Sequence, residues 1–234
     1  MSGSSPVVEL YDVSKRYGQR EVVTGINLTV QAGEAVGLIG ANGSGKTTVL
    51  RMVAGLVQPS QGTVLVHGQA LATASGGAFP EVGVLFDPPG FLPHLSGFTN
   101  LSMLASLRAI IDNAEVRHWI ERLGLNPHDR KPVGTYSQGM LQRLGLAQAL
   151  MECPSILLLD EPTNALDPAG VHLVDNLIRE AQGRGVAILI ASHYLEGVAR
   201  ECTRVFKLVE GRMTPAISTD FNRPTQTDTE RNVP

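Results

Sequence analysis

The nine residues Gly40-Ala41-Asn42-Gly43-Ser44-Gly45-Lys46-Thr47-Thr48 constrain this chain more than any other stretch. They fit the pattern G-x-x-x-x-G-K-[ST]. An apolar, strand-like run (Ala35–Ile39) precedes them. Helical spacing from Thr47 to Val57 follows, and Gly55 with Pro59 marks its end. Strand, glycine loop and helix together form the context in which this pattern cradles phosphate. Gly40, Gly43 and Gly45 admit backbone conformations that side chains would block. The loop amides, those of Asn42 and Ser44 among them, can then turn inward on a phosphate chain, and the helix N-terminus adds partial positive charge. Lys46 brings a full charge toward β- and γ-phosphates. Thr47 offers a hydroxyl to Mg²⁺, and Thr48 reaches an α-phosphate oxygen. The competing reading, a chance Gly-rich turn, does not account for the flanking strand and helix.

Further along, Ile156–Leu159 and Val186–Ala191 are short apolar runs of the kind that form fully buried parallel strands. Val7–Tyr11, Ile26–Val30 and Gly62–His67 alternate like antiparallel strands. Gly139–Met151 and Pro168–Gln182 carry helical patterns, and residues 101–150 are mostly helical. The sum is an α/β domain with a parallel-sheet core, an antiparallel flank and a helical subdomain at about 90–150. One domain is expected over 6–213. Residues 1–5 are Gly/Ser-rich, and 214–234 lose apolar periodicity, so both ends read as disordered.

Apolar residues at 43% against 18% charged suit a folded domain and exclude a disordered or fibrous chain. A net charge of −3 supplies no global basic field, so no nucleic-acid partner is expected. No apolar run is long enough to span a bilayer, and the N-terminus lacks the pattern of a signal peptide. Cys153 and Cys202 have neither a disulfide framework nor metal-ligand spacing.

Two more segments carry chemistry. The strand Ile156–Leu159 ends in Asp160-Glu161-Pro162. Adjacent strand residues point to opposite sides, so the two acids are expected to have separate roles. Asp160 can hold Mg²⁺ through a water, and Glu161 can polarise an attacking water as a general base. Taken alone, the pair reads equally well as the cap of a turn. Tyr136-Ser137-Gln138-Gly139-Met140 leads into the helix, with Ser137 at an N-cap position and Gly139 allowing a phosphate to approach the first turn. An ordinary helix cap is the alternative there.

In order and spacing, these pieces resemble the ATP-binding subunits of ABC transporters from about residue 7 to residue 213. The resemblance implies a P-loop NTPase fold of ABC type, with ATP and Mg²⁺ as cofactors. It makes Tyr136–Met140 a variant of the LSGGQ signature, Ala165-Leu166-Asp167 the D-loop and Ser192-His193 the H-loop switch. Tyr17 resembles the aromatic that stacks on adenine, and His193 would reach the γ-phosphate from a strand end. Asp167 also suits an N-cap before Pro168. The resemblance further implies a head-to-tail pair of ATPase domains, identical or related, in which Ser137 of one copy covers ATP held by the other. A membrane permease on a separate chain would place this subunit peripherally at the cytoplasmic face of the cell membrane.

The sequence departs from that family in two places. Asp87 stands where a Gln is usual, after Val82-Gly83-Val84-Leu85-Phe86. An acidic residue there resembles the subgroup exporting bacitracin-like drugs and lantibiotics, in which the residue is Glu. Asp87 can bind Mg²⁺ or order water, but it loses an amide donor and repels phosphate. It also suits a plain turn before Pro88. The second departure is Gln138, which replaces a signature Gly. Acting as an exporter ATPase is the leading expectation; the alternatives are an importer ATPase and a soluble ABC protein of translation or DNA repair.

Overall fold

The computed structural model describes residues 5–71, 81–194 and 200–216. Two sheets organise them. The first is antiparallel, in the order β2 (Arg20–Val30), β1 (Val8–Tyr17), β4 (Gln61–Val66) and β5 (Gln69–Ala70). The second has the order β10 (Arg212–Pro215), β9 (Arg204–Val209), β3 (Ala35–Ile39), β8 (Ala187–Ser192), β7 (Ile156–Asp160) and β6 (Val82–Leu85). Its pairings from β9 to β6 are parallel, and only β10 runs antiparallel.

The apolar runs are continuous because both faces of the central strands are covered. On β7, Ile156 and Leu158 face the core shared with the antiparallel sheet, while Leu157 and Leu159 face the core beneath the helices. Strand β8 divides in the same way, with Leu189 on the first side and Ile188 and Ile190 on the second. Helix α1 (Lys46–Val53) lies between the sheets and buries Val49, Leu50, Met52 and Val53 in the first core. The second core is closed by α2 (Gly97–Arg108), α3 (Asn113–Arg122), α4 (Gln138–Leu150) and α5 (Pro168–Gly183). Its largest ring, Trp119, is almost fully buried there.

Each of the last four helices starts on a side chain that accepts a backbone N–H: Ser96, Asp112, Ser137 and Asp167. Two of these caps, Ser137 and Asp167, were expected at those positions.

The expected tail begins two residues too early. Thr214 and Pro215 belong to β10 and pair with Lys207 and Phe206. Polar composition hid this strand: it is an edge strand, it needs only one apolar side chain, Met213, to pack inward, and it tolerates Pro where no ladder N–H is required. The expectations for residues 1–4 and 217–234 lie outside the described residues.

Candidate nucleotide site

The phosphate loop leaves β3 at the carboxyl end of the parallel sheet and runs into α1. Gly45 sits at φ +109, and a Cβ there would come within 2.7 Å of the Val22 carbonyl. At Gly40, a Cβ would lie 2.4 Å from the Leu208 carbonyl. Glycine is therefore required where the loop is squeezed between β2 and β9. Gly43 also has positive φ, +79, but its missing Cβ faces open space.

The Lys46 ammonium folds back over its own loop, donating to the carbonyls of Gly40 at 2.6 Å and Ala41 at 3.3 Å. It is 5% exposed and has no carboxylate partner in the salt bridges of the described residues. The Ser44 hydroxyl is buried without a hydrogen-bond partner among the described residues. An unpaired charge and an unpaired hydroxyl in one glycine-lined loop are what a polyanion would satisfy.

A cleft of about 340 Å³ opens above the loop. Asn42, Gly43, Ser44, Gly45, Lys46, Thr47 and Thr48 form one wall, and Asp87, Asp160 and Glu161 face them. Gly40 lines an adjoining hollow of about 460 Å³ beside the turn between β9 and β10. Thr47 Oγ1 donates to Asp160 Oδ2 at 2.6 Å, tying the start of α1 to the end of β7. Burial is the main influence on the Asp160 carboxyl and pushes its pKa up. Glu161 and Asp87 push the same way, the Thr47 hydroxyl and Lys46 ammonium oppose them, and the net effect is upward.

Strand alternation implied that Asp160 and Glu161 would diverge. They line the same cleft instead, because β7 ends at Asp160 and Glu161 takes a left-handed turn at φ +50. The Glu161 carboxylate then meets Ser192 Oγ, which donates at 3.1 Å, and His193 Nδ1 at 2.9 Å. So His193, at the end of β8, is joined to Glu161 directly. Asp87 accepts from Asn164 Nδ2 at 3.1 Å, which links it to the turn that follows Glu161.

The remaining candidates stand away from this cleft. Tyr17 is half exposed at the end of β1, under the Lys15 ammonium 5.0 Å from its ring centroid. It pairs with Arg20, and Arg20 and Val22 line the cleft, so the hairpin rather than the ring is what the cleft touches. Ser137 is exposed and accepts from Met140 N at 3.2 Å. Gly139 packs on the Ala165 carbonyl. Asp167 caps α5 through Gly170 N and takes a 3.0 Å hydrogen bond from Arg143. Arg20 and Val22 carried no sequence signal beyond their nearness to Tyr17, and Gln142, which donates to the Glu161 carbonyl at 2.8 Å, carried none.

These features agree with comparisons to known proteins. Residues 23–164 match the family described as ABC transporter. The chain is 38% identical over 216 residues to an uncharacterised ABC transporter ATP-binding protein, YdbJ of Bacillus subtilis, covering 92% of this chain and 70% of that one. It is 36% identical over 213 residues to the bacitracin transport ATP-binding protein BcrA of Enterococcus faecalis, covering 91% and 69%. A solved ATP-binding subunit of an ABC transporter superposes with a TM-score of 0.81 at 26% identity, over 92% of this chain and 91% of its own. The chain belongs to the ABC transporter family. Within it, this is the ATP-binding and ATP-hydrolysing subunit, a class of α/β P-loop NTPase.

Proposed function

We propose that the cleft binds ATP with Mg²⁺ and that Glu161 is the general base of hydrolysis. The observation that carries this reading is the convergence of Lys46, Thr47, Asp160 and Glu161 on one cleft from two segments far apart in sequence. Asn42–Thr48 would wrap the phosphates with their amides. Lys46 would leave its two loop carbonyls for the β- and γ-phosphates, and the Ser44 hydroxyl would gain the partner it lacks.

The residues fit Mg²⁺. Thr47 and Asp160 put hard oxygen donors side by side at the cleft, and this ion is typically held by one or two carboxylates plus substrate phosphates. Asp87 would serve it from the cleft rim through water. When bound, the ion would neutralise charge building on the phosphate oxygens. Glu161 would take a proton from the attacking water, and His193, already in contact with that carboxylate, would orient it and meet the γ-phosphate. Tyr17 would stack on adenine at the mouth of the hairpin.

Ser137, Gly139 and Asp167 of the same chain do not line the cleft. The exposed N-terminus of α4, led by Ser137, suits the task of closing the cleft of a second ATPase domain, giving a head-to-tail homodimer or pseudo-dimer. No described helix is long and apolar enough to cross a membrane. Membership of the ABC transporter family supports a membrane permease on a separate chain as the partner that converts pairing into transport, with the subunit working peripherally at the cytoplasmic face of the membrane. The similarity to BcrA, together with the acidic Asp87, favours export of an antimicrobial peptide or related drug.

The test is Glu161→Gln. Turnover should fall by about 10²–10⁴-fold, the usual contribution of a general base, while ATP binding persists and dimers accumulate. Unchanged steady-state hydrolysis would refute the assignment.

A further inference from the structure

Helix α4 holds the hydrolytic acid by its backbone. Gln142 is 3% exposed, and its Nε2 donates to the Glu161 carbonyl at 2.8 Å. On the other side, Glu161 N donates to the Ala191 carbonyl at 2.8 Å. Both backbone polar groups of Glu161 are thus pinned, the N–H by β8 and the carbonyl by α4 together with Asn164 N, which donates to it at 3.1 Å. This matters because Glu161 sits at φ +50, a conformation that persists only where surroundings enforce it.

Gln142 does not act alone on that helix. Gly139, Gln142 and Arg143 are spaced i, i+3, i+4 and so share one face. All three meet the segment from Glu161 to Asp167. A Cβ at Gly139 would lie 2.8 Å from the Ala165 carbonyl, and Ala165 is also left-handed, at φ +58. Arg143 donates to Asp167 Oδ1 at 3.0 Å and to the Leu123 carbonyl, at the end of α3, at 3.2 Å. The start of α4 and the 161–167 segment are therefore tied together at three points.

We infer that Gln142 is a positioning residue for Glu161, and that α4 relays occupancy of one nucleotide site to the hydrolytic carboxylate of the other. The inference rests on the proposed function. The tip of α4, at Ser137, closes the partner's cleft, while its second turn clamps Glu161 in its own. A partner's triphosphate engaging Ser137 pulls on the helix that sets the angle of the Glu161 carboxylate. Each site thereby senses whether the other is filled, with the Gln142 amide hydrogen bond as the contact from α4 that reaches Glu161 itself.

The experiment uses the full chain with Gln142→Met, which keeps side-chain length and removes the donor. Hydrolysis is followed against ATP concentration, and affinity is measured separately with Mg-ADP. Since displacing a reacting group by about 1 Å can cost on the order of 10²-fold, kcat should fall by about 10- to 100-fold. Mg-ADP affinity should stay within about twofold, and the Hill coefficient for ATP should drop toward 1, because the Glu161 carbonyl bond binds no nucleotide. A kcat within twofold of wild type with an unchanged Hill coefficient overturns the inference. Gln142→Leu, similar in size and without any donor, repeats the test should Gln142→Met fail to fold. Hydrogen exchange on the unmutated chain gives a third readout. Adding Mg-AMP-PNP should protect the first turns of α4 and residues 161–167 together, and protection of α4 alone overturns the relay. Glu161→Gln separates the two levels. If that variant hydrolyses normally, the assigned base is wrong and the relay falls with it. If it is inactive while Gln142→Met is normal, the base stands and the relay is wrong.

Discussion

Gly43 and Gly45 lie two residues apart in the same loop, yet replacing each with alanine should have different consequences. At Gly43→Ala the only structural cost is the backbone: φ is +79, and nothing lies within 4 Å of the new methyl. A left-handed non-glycine residue costs about 1–2 kcal/mol. At Gly45→Ala the backbone is at φ +109, outside the left-handed helical basin, and the methyl would sit 2.7 Å from the Val22 carbonyl and 3.1 Å from Val23 Cγ2. Strain of about 1–3 kcal/mol then adds to overpacking of about 1–3 kcal/mol, so the loss is about 2–6 kcal/mol. For a domain of this size each kcal/mol moves Tm by about 2–4 °C. Gly43→Ala should therefore melt about 2–8 °C below wild type, and Gly45→Ala about 4–24 °C below it, in the absence of nucleotide. The functional order should invert relative to stability: Gly43→Ala stays folded but puts a methyl into the open space beside the cleft, so its nucleotide affinity should drop out of proportion to its small stability loss. The assay pairs thermal unfolding without ligand with titration by Mg-ADP. If Gly43→Ala is as destabilised as Gly45→Ala, or binds Mg-ADP like wild type, the division of labour between these glycines is refuted.

Asp160→Asn should raise stability at neutral pH while abolishing hydrolysis. The Asp160 pKa is raised on folding, mainly by burial. The folded state therefore binds more protons than the unfolded one across the window from the ordinary value of 3.8 up to the raised folded value. Within that window stability falls as pH rises, and above it the penalty is constant. Asparagine can still accept from Thr47 and removes the penalty, so the gain in Tm should be present at pH 7 and fade as pH falls below the usual carboxylate range; a lower Tm at pH 7 would contradict this. Gly83→Ala tests the packing of β6 on α4. Its Cβ would lie 1.9 Å from the Ala149 carbonyl and 2.9 Å from Pro154 Cγ, so strand and helix must separate. A loss of about 3 kcal/mol is expected, lowering Tm by about 6–12 °C, and a wild-type melting curve would show that this contact yields freely.

How much was legible in the sequence follows from where each physical cause resides. The phosphate loop, the buried strands β3, β7 and β8, and the helix caps Ser137 and Asp167 were legible because a local cause produces each one: glycine where φ is positive, an apolar run where both faces are covered, a short polar side chain where a helix begins. Edge strand β10 was missed because an edge needs little burial, and its residues Arg212, Thr214 and Pro215 are indistinguishable by composition from a tail. The geometry of Asp160 and Glu161 was misjudged for the opposite reason. Alternation was applied one residue beyond the point where the strand stops, and nothing local marks Glu161 as left-handed. Beside the local hydrogen bond from Asn164 N, what holds it there is non-local: the Ala191 carbonyl, 30 positions on, and the Gln142 amide, 19 positions back. A side chain that acts by supporting a backbone turn elsewhere leaves no periodicity and no motif of its own. Gln142 looks like one more polar residue in an amphipathic helix until the turn it supports is known. The same logic explains why Ser137 was readable as a helix cap although it does not line this chain's own cleft. Capping is a local cause, whereas the proposed role of Ser137 and Gly139 in a second domain's cleft depends on a partner.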